Sequence, residues 1–125
     1  MNENNLGDII IEIAVTMHIE LGPGLFESVY ETILFDQLRK RGLMVKRQVP
    51  VPIVFDGKHF DEGFRLDLLV QEKVIVELKS IEKITPVHKK QLITYLKLSN
   101  KKLGYILNFG AEVMKEGITR IVNNL

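Results

Sequence analysis

FRLDLLVQEKVIVELKS, residues 64–80, is the stretch whose reading decides the fold. Phe64, Leu66, Leu68 and Val70 alternate with Arg65, Asp67 and Leu69; Val74, Val76 and Leu78 alternate with Ile75, Glu77 and Lys79. Alternation at period two marks a strand, because successive side chains leave opposite faces. Gln71-Glu72-Lys73 fits a three-residue hairpin loop, although it lacks the Gly such loops usually carry. The register follows from that loop. With Val70 opposite Val74, Leu69 meets Ile75, Leu68 meets Val76, Asp67 meets Glu77 and Arg65 meets Lys79. Asp67, Glu77 and Lys79 then share one face. Carboxylates directly across a strand pair stand about 5 Å apart at Cβ. At an effective dielectric near 20 they repel by about 3 kcal/mol. A two-residue loop would instead place them on different rungs.

A divalent cation would offset that repulsion, and hard cations such as Mg²⁺ take carboxylate oxygens. Lys79 leaves the same face and could direct its ammonium at a phosphate or an attacking water. Two carboxylates, a metal and a lysine make a site for hydrolysing a phosphodiester. The plainer reading is a solvent-facing hairpin, since most charged side chains are simply solvated. Val74-Ile75-Val76 weighs against it, because a run apolar on both faces belongs to a strand covered on both sides. Charges beside such a run are partly buried, and perturbed carboxylates gather at functional sites.

The 125 residues suit one domain spanning 1–125 with one sizeable core. Apolar content of 46% and charged content of 26% are those of an ordinary soluble protein. No apolar run reaches the ~20 residues of a membrane span, and MNENNLGD has no signal-peptide pattern, so a cytoplasmic location is expected. Without cysteine, disulfides and thiolate metal sites are excluded. The net charge of +1 gives no whole-protein footprint of a nucleic-acid binder. Local basic clusters (Arg39-Lys40-Arg41 with Lys46-Arg47, Lys89-Lys90, and Lys97 with Lys101-Lys102) could track phosphates if the fold gathers them, or could be solvated helix ends.

Outward from the central stretch, Ile9, Ile13, Ala14 and Met17 predict a helix over 8–20, with His18 packed on or near its apolar stripe. Gly22-Pro23-Gly24 ends it. A second helix is expected over 25–41, stopped by Gly42, with Phe26, Val29, Ile33 and Leu38 facing the core. Glu27, Tyr30, Glu31 and Leu34 share another face, from which Glu27 could bring a third carboxylate to a metal. The pattern alone favours a first-turn acid for Glu27 and a core aromatic for Tyr30. Residues 45–55 read as an edge strand, since Pro50 and Pro52 remove two N–H groups from one edge. Asp56-Gly57 is a hairpin turn, residues 61–63 suit a bulge, and His59 is expected exposed. Thr85-Pro86 caps a helix to about Leu98. Val87, Gln91 and Tyr95 share one of its faces with His88 beside them, and Gln91 could hold water or phosphate or simply face solvent. A strand over 102–109 and a final helix over 113–123 complete the chain. The expected architecture is α/β: a mixed central sheet with an antiparallel meander, flanked by helices, its last strand reached by a crossover.

Asp67 followed by Glu77-Leu78-Lys79 resembles the D…ExK signature of the PD-(D/E)XK nuclease superfamily. Gly24-Leu25-Phe26-Glu27-Ser28-Val29-Tyr30 is similar to the motif of its GxxExxY family, with Gln91 and Tyr95 as a downstream QxxxY. The likeness spans about residues 13–122. Leu66 stands where the superfamily name has proline. The resemblance implies a restriction-endonuclease-like core. It implies Mg²⁺ or Mn²⁺ on Asp67 and Glu77, with the carbonyl of Leu78 and with Glu27. Lys79 would orient or activate water, Gln91 would complete the catalytic set, and Tyr30, Tyr95 and His88 are expected at the substrate. The activity implied is cleavage of DNA by a metal-activated water. The rival readings are a non-catalytic nucleic-acid or protein-binding module and a phosphoesterase of small molecules. So small a core would grip a duplex better as a homodimer or with a protein partner.

Overall fold

The computed structural model describes residues 1–125, the side chain of Glu62 excepted. Helix α1 (Glu3–Leu21) begins where the Asn2 side chain accepts the Asn5 N–H at 2.8 Å. That cap carries the helix back to Glu3, ahead of the Asp8 start its apolar spacing suggests. Gly22, at φ +70°, ends it, its N–H donating to the His18 carbonyl. No helix is long and apolar enough to cross a membrane among the described residues.

Helix α2 (Glu27–Lys40) presents Tyr30, Glu31, Leu34 and Leu38 to the interior. This corrects the expected face. Phe26 is 82% exposed and Val29 37%, so of the predicted core set only Leu38 is fully buried and Ile33 packs at its margin. The four-residue spacing from Tyr30 to Leu34 to Leu38 makes the more continuous stripe. Strands β1 (Val45–Phe55) and β2 (Lys58–Val70) form a long antiparallel ribbon. Its turn puts Asp56 and Gly57 both at positive φ, as a two-residue hairpin requires. The register shifts between Val51 and Ile53, opposite residues 61–63, where the sequence suggests a bulge. His59 is exposed.

Strand β3 (Val74–Lys79) returns antiparallel to β2. Val70 faces Val74, Leu69 faces Ile75 and Leu68 faces Val76, the register the three-residue loop dictates. Gln71 and Glu72 supply the left-handed turn themselves, at φ +53° and +56°. The ladder stops there: the expected rungs Asp67–Glu77 and Arg65–Lys79 are not formed, because the two strands diverge.

Helix α3 (Pro86–Ser99) crosses over to β4 (Leu103–Asn108), which runs parallel to β3. The predicted final helix is corrected to a single turn, α4 (Met114–Gly117), followed by β5 (Ile118–Val122), antiparallel to β4. Ile118-Thr119-Arg120-Ile121-Val122 is mostly β-branched, and β4 offers it an open edge, so pairing wins over helical propensity. The sheet order is β1-β2-β3-β4-β5, leaving the proline-bearing β1 on an edge as expected.

Each face of this sheet has its own core. Leu68, Val70, Val74, Val76, Leu103 and Leu107 pack with α1 and α2. Ile75, Ile106, Leu66 and Leu69 pack with Leu92 and Leu96 of α3. His18 is buried as expected, its Nε2 2.8 Å from the Ala111 carbonyl.

Asn108, 2% exposed at the end of β4, ties the segment after β3 in place. Its Oδ1 accepts the N–H groups of Ile81 and Gly110, and its Nδ2 donates to the Ile81 carbonyl, each at 3.0 Å. Asn108→Leu should therefore cost at least about 2 kcal/mol, since it strands buried backbone groups. Urea unfolding would read this as a lower midpoint with an unchanged slope.

Candidate active site

Where the β2–β3 ladder ends, side chains take over the work of the backbone. The Asp67 N–H donates to Glu77 Oε2 at 2.8 Å, and the Leu78 N–H donates to Asp67 Oδ2 at 2.8 Å. Each acid thus satisfies an amide of the opposite strand. A carboxylate makes a stronger acceptor than a carbonyl, which lets the strands separate without leaving a buried donor unpaired.

The electrostatic cost falls on the acids. Glu77 is buried at 9% exposure; burial, then the neighbouring charge of Asp67, pushes its carboxyl up to about 8. Burial also raises Asp67, and the charge of Glu31 adds to it, against the lowering effect of the Leu78 N–H. Lys79 is half-buried on the same side of β3 as Glu77, and its ammonium favours the charged form of both acids. Tyr95 of α3 stacks on Phe64 with centroids 4.1 Å apart. Its phenol is raised by burial and then by the charges of Glu77 and Asp67, so it borders the same cluster.

The other residues singled out in the sequence take distinct places. Glu27 Oε2 accepts the Ser80 N–H at 3.2 Å, while Ser80 Oγ donates to the Leu25 carbonyl at 2.6 Å. Glu27 therefore fastens the loop before α2 to the end of β3, one residue past Lys79. Tyr30 has no exposed surface. Its hydroxyl donates to the Gly22 carbonyl at 2.6 Å and accepts the Leu25 N–H at 3.2 Å, and its ring stacks on Phe109. The pair holds one loop against one strand end. His88 Nδ1 accepts the Thr85 N–H at 2.9 Å, completing the cap of α3. Gln91 is exposed.

Glu31 is the carboxylate that the sequence pattern placed on this face without assigning it a role. It is 6% exposed, and its charge acts on both Asp67 and Glu77. Its Oε2 accepts Arg47 at 3.0 Å and its Oε1 accepts Gln48 at 2.7 Å. Its four-residue spacing from Glu27 was the available signal; its partners, on a strand far along the chain, were not visible.

The donor set suits a hard cation. Asp67 and Glu77 each spend one oxygen on a backbone amide and keep another. Asp67 Oδ1 carries only a long 3.4 Å contact from Gln48, and Glu77 Oε1 has no hydrogen bond among the described residues. No group of three or more His, Asp and Glu able to hold a metal occurs among the described residues. The protein would offer two carboxylates, and Mg²⁺ commonly completes such a shell with water and substrate oxygens.

The family model described as the PD-(D/E)XK nuclease superfamily matches residues 4–121. No curated protein and no solved structure matches the chain.

Two outcomes follow from the geometry. A carboxyl whose folded pKa is raised from 4.5 to about 8 binds more protons folded than unfolded, so the contribution of Glu77 to stability is greatest below pH 4.5 and declines as pH rises toward 8. Glu77→Gln should flatten that slope in metal-free thermal melts. Tyr30→Phe should lose about 1 kcal/mol from the Gly22 and Leu25 contacts, read by chemical denaturation.

Proposed function

This chain belongs to the PD-(D/E)XK nuclease superfamily, and we propose that it hydrolyses DNA phosphodiester bonds at Asp67, Glu77 and Lys79 with Mg²⁺ or Mn²⁺. The observation that carries this is the crossed pairing of Asp67 and Glu77: two acids held in a partly dry site, each with an oxygen left over and a lysine beside them. A divalent cation there would neutralise phosphate charge and lower the pKa of an attacking water. Leu78 adds a third oxygen to the same edge. A strand residue sends its N–H and C=O the same way, and the Leu78 N–H points to Asp67.

The chain's own groups divide the remaining work. Lys79 orients the water and stabilises charge that develops on the phosphorane. Tyr95, on its Phe64 platform, walls the site from the α3 side and offers a ring to a nucleotide. Glu27 and Tyr30 act as supports, keeping the end of β3 and the adjoining loop fixed, in place of the metal and substrate contacts that the GxxExxY resemblance implies for them. A dimer or a protein partner would extend the grip on a duplex.

Purified protein should cut at least one form of DNA with Mg²⁺ or Mn²⁺. Glu77→Ala and Lys79→Ala should each reduce cutting by about 100-fold or more. Cutting that survives in both variants would refute the assignment, and binding without turnover in the wild type would favour a non-catalytic nucleic-acid module.

A further inference from the structure

Gln48 lies in the middle of β1 with a backbone no strand residue ordinarily adopts. Its φ is +50°, in the left-handed region, and glutamine has no special tolerance for it. Arg47 pairs with Leu68 and Val49 with Leu66, but between these rungs Gln48 and Asp67 do not pair. The faces of both strands exchange at this point. Val45 packs with the α1/α2 core and Val49 and Val51 with the α3 core, although all three would share one face of a regular strand. Leu68 and Val70 likewise pack with the first core, and Leu66 and Phe64 with the second. Asp67 sits at the inversion.

Strain of this kind persists only where surrounding contacts hold it. Here the Gln48 side chain is anchored on Glu31 Oε1 at 2.7 Å, and Glu31 is itself fixed by Arg47, which also bonds Thr32 and lies over the Phe35 ring. The Gln48 carbonyl receives Arg65 at 3.4 Å. Although Gln48 faces solvent, its amide therefore spans two acids, reaching Asp67 Oδ1 at 3.4 Å.

We propose that Gln48, anchored on Glu31, is a positioning residue: its left-handed backbone twists the β1–β2 ribbon and its amide sets the Asp67 carboxylate so that Oδ2 meets the Leu78 N–H. The proposal rests on Asp67 being a ligand in the nuclease reading only for its consequence for metal and catalysis. The Gln48 amide contacts Glu31 and Asp67, and acts through Asp67.

Gln48→Gly separates the two contributions, because glycine accepts φ +50° without strain while losing the amide. Hydrogen exchange followed by NMR on the metal-free protein reads the result directly. The Leu78 amide should exchange about tenfold faster or more in Gln48→Gly, while the Val76 amide, inside the regular ladder, keeps its wild-type rate. A general loss of stability would move both. Titration with Mn²⁺ by calorimetry should show affinity weakened about tenfold, in line with loss of a supporting contact to a ligand. Unchanged protection of Leu78 overturns the proposal. If Gln48→Gly does not fold, Gln48→Glu, of the same shape but with no amide donor, is measured the same way; failure of both to fold overturns it too, assigning Gln48 to sheet stability alone. A wild type that binds no Mn²⁺ and cuts no DNA would sink the nuclease reading and leave the exchange result to decide the role of Gln48.

Discussion

Two part-buried N–H groups, of Asp67 and Leu78, need acceptors where β2 and β3 part, and the acids of the opposite strand provide them. A buried donor left unpaired costs about as much as a whole hydrogen bond contributes. Asp67 and Glu77 therefore let the strands diverge with both amides paired. The same requirement forces two like charges together in a poorly solvated place, and the raised carboxyl of Glu77 records the cost. Backbone satisfaction and electrostatic tension are one arrangement seen from two sides.

The surrounding contacts make sense as responses to that arrangement. Asn108 secures residues just beyond β3, Glu27 and Ser80 bind the loop before α2 to the end of β3, and Tyr30 braces that loop from the interior. Each joins segments distant in sequence to the end of the strand that carries Glu77 and Lys79. Rigid placement matters there because a cluster of charges displaced by an ångström loses much of its chemical use. On the other flank, Arg47 offsets the charge of Glu31 and so limits how much negative potential reaches Asp67.

Neither face of the sheet could supply such a site alone. The α1/α2 side contributes Glu31, and the α3 side contributes Tyr95, with Glu77 and Lys79 pointing toward α3. The inversion at Gln48 and Asp67 lets one ribbon serve both cores. Superfamily membership rests on the match across residues 4–121, and the pairing of Asp67 with Glu77 rests on where the hydrogen bonds go.

Period-two alternation, turn chemistry and caps are local, and they determined the β2–β3 register, the edge position of β1, the crossover through α3 and the proximity of Asp67 to Glu77. What the sequence did not carry is what depends on distant partners. Residues 118–122 became a strand because β4 had a free edge; Phe26 and Val29, expected in the core, stayed at the surface because a packed core chose among the faces of α2, while Tyr30 is buried as its pattern suggested. The ladder ends at Leu68 rather than running on to Asp67, and beside that point Gln48, nineteen positions from Asp67 on another strand, adopts a conformation no local pattern announces. Local propensity is fixed by neighbouring residues, whereas the place where two strands separate is a balance of contacts across the whole sheet, so only the tertiary structure could decide it.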